Sequence, residues 1–132
     1  MHRKFLTAAS VLAAFAVILG AFGAHSLKSY VAADSIGVFE TGVRYQFYHS
    51  FALFITAFAA EKFAGKWISY AGNFFIAGIV LFSGSLYALT LLKAADAVGL
   101  NGIGILTPIG GLFFIAGWIS LLMAFNHKAT SR

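Results

Sequence analysis

Long runs of residues without a charge are the feature that most restricts how this chain can fold. The longest run, residues 67–92, has twenty-six residues, and residues 5–24 form another of twenty. A helix rises about 1.5 Å per residue, so about twenty apolar residues cross a hydrocarbon core about 30 Å thick. Because a helix pairs its own backbone N–H and C=O groups, it tolerates lipid where an open sheet edge does not. The runs therefore predict membrane-spanning helices.

The composition of the chain supports the same class of protein. Hydrophobic residues make up 61% of the 132 residues and charged residues 10%, whereas a soluble domain has about 45–50% apolar and about 25% charged residues. The length indicates one domain. The absence of cysteine excludes disulfides and thiolate metal sites. We therefore expect an all-α polytopic membrane protein.

We predict a single membrane domain over residues 1–132, folded as a four-transmembrane-helix bundle. The spans are expected at about residues 5–24, 43–60, 67–92 and 105–125. The second is short, because its uncharged part, residues 45–60, covers only about 24 Å at about 1.5 Å per residue. It crosses the membrane comfortably only if Arg44 is included and either snorkels or is paired.

An amphipathic interfacial helix is predicted between the first and second spans. Asp34 or Ser35 can cap its start, and the apolar residues Ile36 and Phe39 recur at helical spacing. We expect this helix to lie at the membrane surface and then to continue into the second span, or to bend into it at Gly42.

The first apolar run has an alternative interpretation as a cleavable signal peptide. It follows Arg3 and Lys4, and the small residues Ala21 and Gly23 fit a cleavage site. Its twenty residues exceed the usual apolar region of about 7–15 residues in a signal peptide. This length favours a span.

The basic residues indicate the orientation of the predicted spans. Six of them fall on one side: Arg3, Lys4, Lys62, Lys66, Lys128 and Arg132. Three fall on the other: Lys28, Arg44 and Lys93. The positive-inside rule then places both termini in the cytoplasm. Because the net charge of +5 is dispersed at the ends of spans and matches no nucleic-acid motif, we expect no nucleic-acid partner.

A five-residue motif, FFIAG, occurs at residues 74–78 and again at 113–117, in the third and fourth predicted spans. An inverted repeat of the transporter type is one interpretation. Chance recurrence of common membrane residues is the favoured alternative, because both segments have low sequence complexity.

A candidate polar cluster gathers at the outer side of the predicted bundle. Its members are polar or ionisable residues at the ends or outer halves of spans: His25, Glu40, Arg44, Tyr45, Tyr48, His49, Ser83 and Tyr87. Ionisable groups at such depths are costly to desolvate and often functional. The functional interpretation is that His25 and His49 converge in a cavity for an ion, a proton or a small polar ligand.

The structural interpretation of the same cluster is favoured. Glu40 and Arg44 have the i, i+4 spacing of an ion pair within one helix. The tyrosines and histidines are suited to anchoring at the interface, because their rings are apolar with a polar tip.

Catalytic chemistry has little support in the sequence. Ser83 and Ser85 lack a G-x-S-x-G elbow, and no carboxylate lies deep in a predicted span. A bis-histidine haem held by His25 and His49 is a further alternative without other haem signals. We therefore predict no catalytic residues, no cofactor and no metal site, and we expect a protein that is not an enzyme.

Four motifs in order resemble the domain-of-unknown-function 423 family: GAFGAH (20–25), TGVRYQFYH (41–49), SGSLY (83–87) and TPIGGL (107–112). These are small bacterial inner-membrane proteins of the YwdK/YgdD type, similar also to eukaryotic transmembrane protein 256. The resemblance covers essentially the whole chain. It implies four spans in a bacterial cytoplasmic membrane and supplies no activity or catalytic residue.

The expected function is that of a non-enzymatic binding or structural membrane protein. Its expected partners are membrane lipid, an unidentified small ligand or ion, and further copies of the chain in a homo-oligomer. The alternative is a small oligomeric transporter or channel for an ion or small solute, because four short helices enclose little space alone.

Overall fold

A computed structural model of the chain describes residues 2–95 and 101–126, and the regular elements in these ranges are all helices. The α-helices are α1 (Arg3–His25), α2 (Ala33–Ala59), α3 (Lys66–Gly78), α4 (Gly84–Ala94) and α5 (Leu106–Asn126). Short 3-10 turns, Leu27–Ser29 and Asn101–Ile105, precede α2 and α5, and a π-helical turn, Ile79–Ser83, joins α3 to α4. Lys128 and Arg132, which contribute to the predicted orientation, lie outside the described residues.

Three helical segments within the described ranges are long and apolar enough to cross a membrane: Arg3–Ser29, Lys66–Ala94 and Gly102–Asn126. They contain the first, third and fourth predicted spans. The helix α2, which contains the predicted second span, is 27 residues long but is not apolar enough. Length and composition alone therefore support three spans, and the status of α2 depends on which way its polar residues face.

The helix α2 runs without a break through the predicted interfacial helix and the predicted second span. Gly42 does not interrupt it. Instead the ring of Tyr87 lies close to this glycine, with Cε1 2.8 Å from where a Cβ would stand. The residue before the helix is Ala32, and the carboxylate of Asp34 accepts a hydrogen bond from the backbone N–H of Ser35 at 2.8 Å.

The helices α1 and α2 pack antiparallel. Near the C-terminal end of α1, Gly23 faces the ring of Phe39. At the other end, the backbone N–H of His2 donates to the carbonyl of Ala57 at 3.1 Å. The ring of Phe5 fills the space beside Gly72 of α3 and is 1% exposed. The first apolar run is thus packed against α2 and α3.

The two FFIAG motifs pack against each other. Phe75 of the first motif lies over Gly117 of the second, and Phe114 of the second lies over Gly78 of the first. Because α3 and α5 are antiparallel at this contact, a local pseudo-twofold axis relates the Phe75–Gly117 contact to the Phe114–Gly78 contact. Small residues let helices approach closely in membranes. The recurrence of the motif therefore coincides with a reciprocal ring-into-notch contact at the centre of the bundle.

The π turn lies where α5 approaches the long α3–α4 helix most closely. A Cβ on Gly110 would collide with the backbone nitrogen of Phe82. A π turn widens the backbone and frees carbonyl groups from regular pairing. The hydroxyl of Ser85 donates to the carbonyl of Phe82 at 2.8 Å and so satisfies one of them.

Candidate functional site

Five polar side chains of α2 are buried in the bundle, and the exposed face of its second half is mostly apolar or aromatic. The buried polar residues of this helix, each at most 5% exposed, are Ser35, Gln46, His49, Ser50 and Thr56. The exposed apolar residues on its second half are Phe47, Phe51, Ile55 and Phe58. The exposed apolar face of this second half suits a lipid exterior.

Gln46 links three helices through its amide group. Its Nε2 donates to the backbone carbonyl of Leu12 in α1 at 2.8 Å, and its Oε1 accepts from the hydroxyl of Tyr87 in α4 at 2.7 Å. A buried amide without such partners would cost about 1–3 kcal/mol. The pair Gln46–Tyr87 therefore fixes the position of α2 between α1 and α4.

Ser83 extends this network through the π turn. Its hydroxyl donates to the carbonyl of Gly42 at 2.6 Å, and both residues are buried. The same glycine gives room for the Tyr87 ring. Ser83 and Tyr87, two residues of the predicted cluster, therefore pack against one short stretch of α2, where each has a structural partner.

His49 has a partner for each nitrogen of its ring. Nδ1 lies 2.7 Å from the carbonyl of Tyr45, so it must carry the proton and donate it. Nε2 accepts from the indole N–H of Trp118 at 3.2 Å. The ring also stacks on Phe114, with centroids 3.5 Å apart and planes within 7°. These contacts define a neutral imidazole in the Nδ1–H tautomer.

The structure does not bring His25 and His49 together. Gly23 is level with Phe39, so His25 at the end of α1 is level with about Gly37. His49 lies twelve residues further along α2, which is about 18 Å at about 1.5 Å per residue. Metal–imidazole bonds are about 2 Å long. The two histidines therefore cannot share one haem iron, and they do not converge in one outer cavity.

Tyr45 separates the interior part of the cluster from the surface. Its ring stacks on Phe82 with centroids 4.6 Å apart, and it is 38% exposed. A second interior link lies nearby, where the hydroxyls of Ser85 and Thr107 are 2.6 Å apart and join α4 to α5. These contacts tie the outer ends of the helices to one another.

The remaining members of the predicted cluster border an open groove between α1 and α2. The groove has a volume of about 380 Å³ and a mostly apolar lining. Its lining residues are Ala16, Val17, Gly20, Phe39, Glu40, Val43, Arg44, Phe47 and Tyr48. We call this feature the α1–α2 groove.

Glu40 and Arg44 line this groove as two exposed charges. Among the described residues, no salt bridge joins Glu40 to Arg44, although their spacing predicts one. A salt bridge does join Lys93 to Asp34, outside the groove, at 3.6 Å. An exposed pair on a helix gains only about 0.3–0.5 kcal/mol, so its geometry is weakly determined. The predicted cluster thus divides into an interior network, an exposed His25 and a charged groove.

Sequence reasoning missed two residues of the interior network. Gln46 is the one polar amide in the described part of α2, and a buried amide in an apolar helix is itself a signal for an interhelical hydrogen bond. Trp118 carries no such signal, because tryptophan is also common at membrane interfaces. Its contact with His49 joins residues 69 positions apart.

These features define a class: a small integral membrane protein, helical throughout the described residues, with a network of buried polar residues between its helices. The chain belongs to the DUF423 family of proteins of unknown function, whose family model matches residues 19–111. It is 41% identical over 92% of its length to the UPF0382 membrane protein YwdK of Bacillus subtilis, covering 95% of that protein.

Two further relatives have similar extent. A UPF0382 membrane protein of Haemophilus influenzae is 39% identical, over 98% of this chain and 99% of the relative. The UPF0382 inner membrane protein YgdD of Escherichia coli K12 is 36% identical, over 93% of this chain and 90% of the relative. No solved structure matches the chain.

Proposed function

We propose that α2 is a fourth membrane span, with both termini of the protein in the cytoplasm. The support is the orientation of α2, which buries five polar residues and exposes mostly apolar or aromatic side chains along its second half. The mean hydropathy of a helix does not depend on which of its side chains face lipid. A helix that buries its hydrogen-bonded polar groups among other helices can cross the bilayer.

The length of α2 fits a span with an interfacial extension. Its 27 residues are about 40 Å long, about 10 Å more than the hydrocarbon core. The excess falls at the N-terminal end, where Asp34 and Glu40 are exposed. The start of α2 therefore serves as the interfacial segment at the outer surface.

The described basic residues support this orientation. Four of them lie at one end of the bundle: Arg3 and Lys4 begin α1, Lys62 lies between α2 and α3, and Lys66 begins α3. Three lie toward the other end: Lys28, Arg44 and Lys93. Cytoplasmic loops carry the excess of Lys and Arg.

The function that the geometry supports best is binding of an amphiphilic molecule from the bilayer in the α1–α2 groove, without catalysis. One observation carries this function: the groove combines a mostly apolar lining with two charged residues, Glu40 and Arg44. Its volume of about 380 Å³ lies within the usual range of about 300–1,000 Å³ for ligand sites. The interior network, in contrast, consists of groups that already have partners.

The test compares lipid retention by two tryptophan variants of adjacent residues. Val17 and Ile18 are about equally exposed, at 62% and 61%, but of the two it is Val17 that lines the groove. We expect protein purified in mild detergent to retain membrane lipid, seen as adducts in native mass spectrometry. Val17→Trp should lose these adducts, and Ile18→Trp should keep them.

Equal retention by both variants would contradict binding in the groove. If the wild type and both variants carried a solute or ion across the membrane of proteoliposomes, the alternative of a small transporter would instead be favoured. Both variants should keep the wild-type circular dichroism spectrum, since neither residue is buried.

A further inference from the structure

The α1–α2 groove presents two opposite charges that do not neutralise each other. Glu40 and Arg44 are one helical turn apart, both are exposed, and both line the groove. No salt bridge joins the two among the described residues. Charged groups close to hydrocarbon are costly unless something pairs with them. A ligand that carries both a negative and a positive group would pair with both charges.

The depth of these charges matches the headgroup region of the outer leaflet. Glu40 is nineteen residues from the end of α2 at Ala59, which is about 29 Å at about 1.5 Å per residue. Arg44 is about 6 Å deeper on the same scale. With the inner boundary at Ala59, Glu40 lies at the outer edge of a core about 30 Å thick. The long side chain of Arg44 can reach the same level by snorkelling.

The wall of the groove beside and below these charges suits an acyl chain. On the α1 side it is formed by Ala16, Val17 and Gly20, and on the α2 side it includes Val43 and Phe47. Two of these five residues are small, which leaves an open channel between the helices. Tyr48, which also lines the groove, lies one turn beyond Arg44 and offers a hydroxyl within the groove.

We propose that the α1–α2 groove binds a glycerophospholipid whose headgroup carries a phosphate and a primary ammonium group. The Arg44 guanidinium binds the phosphate through two parallel N–H···O bonds, the geometry that arginine favours. The Glu40 carboxylate accepts hydrogen bonds from the ammonium group. The acyl chain lies along Val17 and Phe47. This inference rests on the proposed function, since it names the headgroup of the lipid that the groove takes.

The pair of charges distinguishes this headgroup from the two nearest alternatives. A phosphatidylglycerol offers a phosphate to Arg44 but brings no cation to Glu40, whose negative charge then repels it. A phosphatidylcholine has a cation, but its quaternary ammonium has no N–H to donate to the carboxylate. Selectivity therefore depends on Glu40, and the total affinity for phospholipid depends on Arg44.

The experiment measures retention of three synthetic lipids with identical oleoyl chains. Delipidated protein is titrated with dioleoyl phosphatidylethanolamine, phosphatidylglycerol or phosphatidylcholine, and adducts are counted by native mass spectrometry. We expect phosphatidylethanolamine to bind up to about five-fold more tightly than the other two, the factor at the upper end of the range for one exposed ion pair. Glu40→Gln should remove that preference, and Arg44→Gln should weaken binding of all three lipids.

A matched control separates these effects from a general loss of charge. Lys28→Gln removes an exposed charge at the same end of the bundle but outside the groove, and it should leave all three affinities unchanged. Equal affinities for the three lipids in the wild type, or an unchanged preference in Glu40→Gln, would overturn the headgroup assignment.

The two proposals fail in distinguishable ways. If the three lipids bind equally but Val17→Trp abolishes binding and Ile18→Trp does not, the groove is a lipid site and only the headgroup assignment is wrong. If Val17→Trp and Ile18→Trp bind alike, the groove is not the site, and both proposals are overturned.

Discussion

The imidazole of His49 lies flat on the ring of Phe114, with the two centroids 3.5 Å apart and the planes within 7°. The stack joins α2 to α5 at a point where both residues are at most 5% exposed. Trp118 donates to the outward nitrogen of the same imidazole at 3.2 Å. A histidine that resembles a ligand in the sequence is thus a structural residue that ties α2 to the rest of the bundle.

Replacing His49 with alanine should destabilise the protein by about 2–4 kcal/mol. The loss combines a cavity against Phe114 with an unpaired Trp118 indole. Unfolding by sodium dodecyl sulfate in mixed micelles, followed by circular dichroism, measures it. The control is Phe51→Ala, because Phe51 lies on the exposed face of the same helix; it should change stability by less than about 0.5 kcal/mol. Equal losses in the two variants would contradict the interior role of His49.

A second substitution at this position separates stacking from hydrogen bonding. His49→Phe keeps an aromatic ring against Phe114 but removes the acceptor for Trp118. The expected loss is about 1–3 kcal/mol, the cost of an unsatisfied buried donor, and it should be smaller than that of His49→Ala. A loss as large as that of alanine would show that the ring contact contributes nothing.

Gln46 and Tyr87 should show the behaviour of a buried hydrogen-bonded pair. Gln46→Met leaves the Tyr87 hydroxyl without its acceptor and should cost about 1–3 kcal/mol. Adding Tyr87→Phe removes the stranded hydroxyl, so the double variant should be more stable than Gln46→Met alone. The same detergent unfolding assay measures both. Independent, additive losses would contradict a direct link between α2 and α4.

The reciprocal contact of the two FFIAG motifs predicts a selective sensitivity to a single methyl group. Gly117→Ala places a Cβ against the Phe75 ring and should cost about 1–3 kcal/mol through overpacking. Gly84→Ala on the neighbouring helix meets nothing within 4 Å and should be neutral or slightly stabilising. Both variants are compared by thermal unfolding in detergent.

A double-mutant cycle tests whether the partner of Gly117 is Phe75. In a Phe75→Ala background the collision disappears, so Gly117→Ala should cost less than in the wild type. The coupling energy should be about 0.5–3 kcal/mol, the range for residues in contact. A coupling near zero would mean that the two motifs do not pack as described.

The sequence predicts the helices well because charge-free length is a local property. The runs at residues 5–24, 67–92 and 105–125 each lie in one of the membrane-length helical segments. The second helix is harder, because its average hydropathy is lowered by Gln46 and His49. Only their burial shows that these residues do not face lipid.

The candidate site is less predictable, because its contacts join residues far apart in the chain. Spacing within α2 predicts an ion pair between Glu40 and Arg44, which is not found among the described residues, although both line the groove. Spacing also cannot show that Trp118 reaches His49. Nor can spacing give the register of α1 against α2. The position of His25 along the bundle relative to His49 follows from the contact between Gly23 and Phe39. The FFIAG recurrence acquires a physical meaning once the two motifs are seen in contact.

The measurement that tests the crossing of the membrane by α2 most directly is the labelling of single cysteines on its two sides. The chain contains no native cysteine, so Ser29→Cys and Ala64→Cys, both at exposed positions, each give one thiol. A membrane-impermeant maleimide is applied to spheroplasts before and after permeabilisation. If α2 spans the membrane, Ser29→Cys is labelled in intact spheroplasts and Ala64→Cys only after permeabilisation. If the two positions are labelled under the same condition, α2 does not cross, and the four-span bundle is wrong.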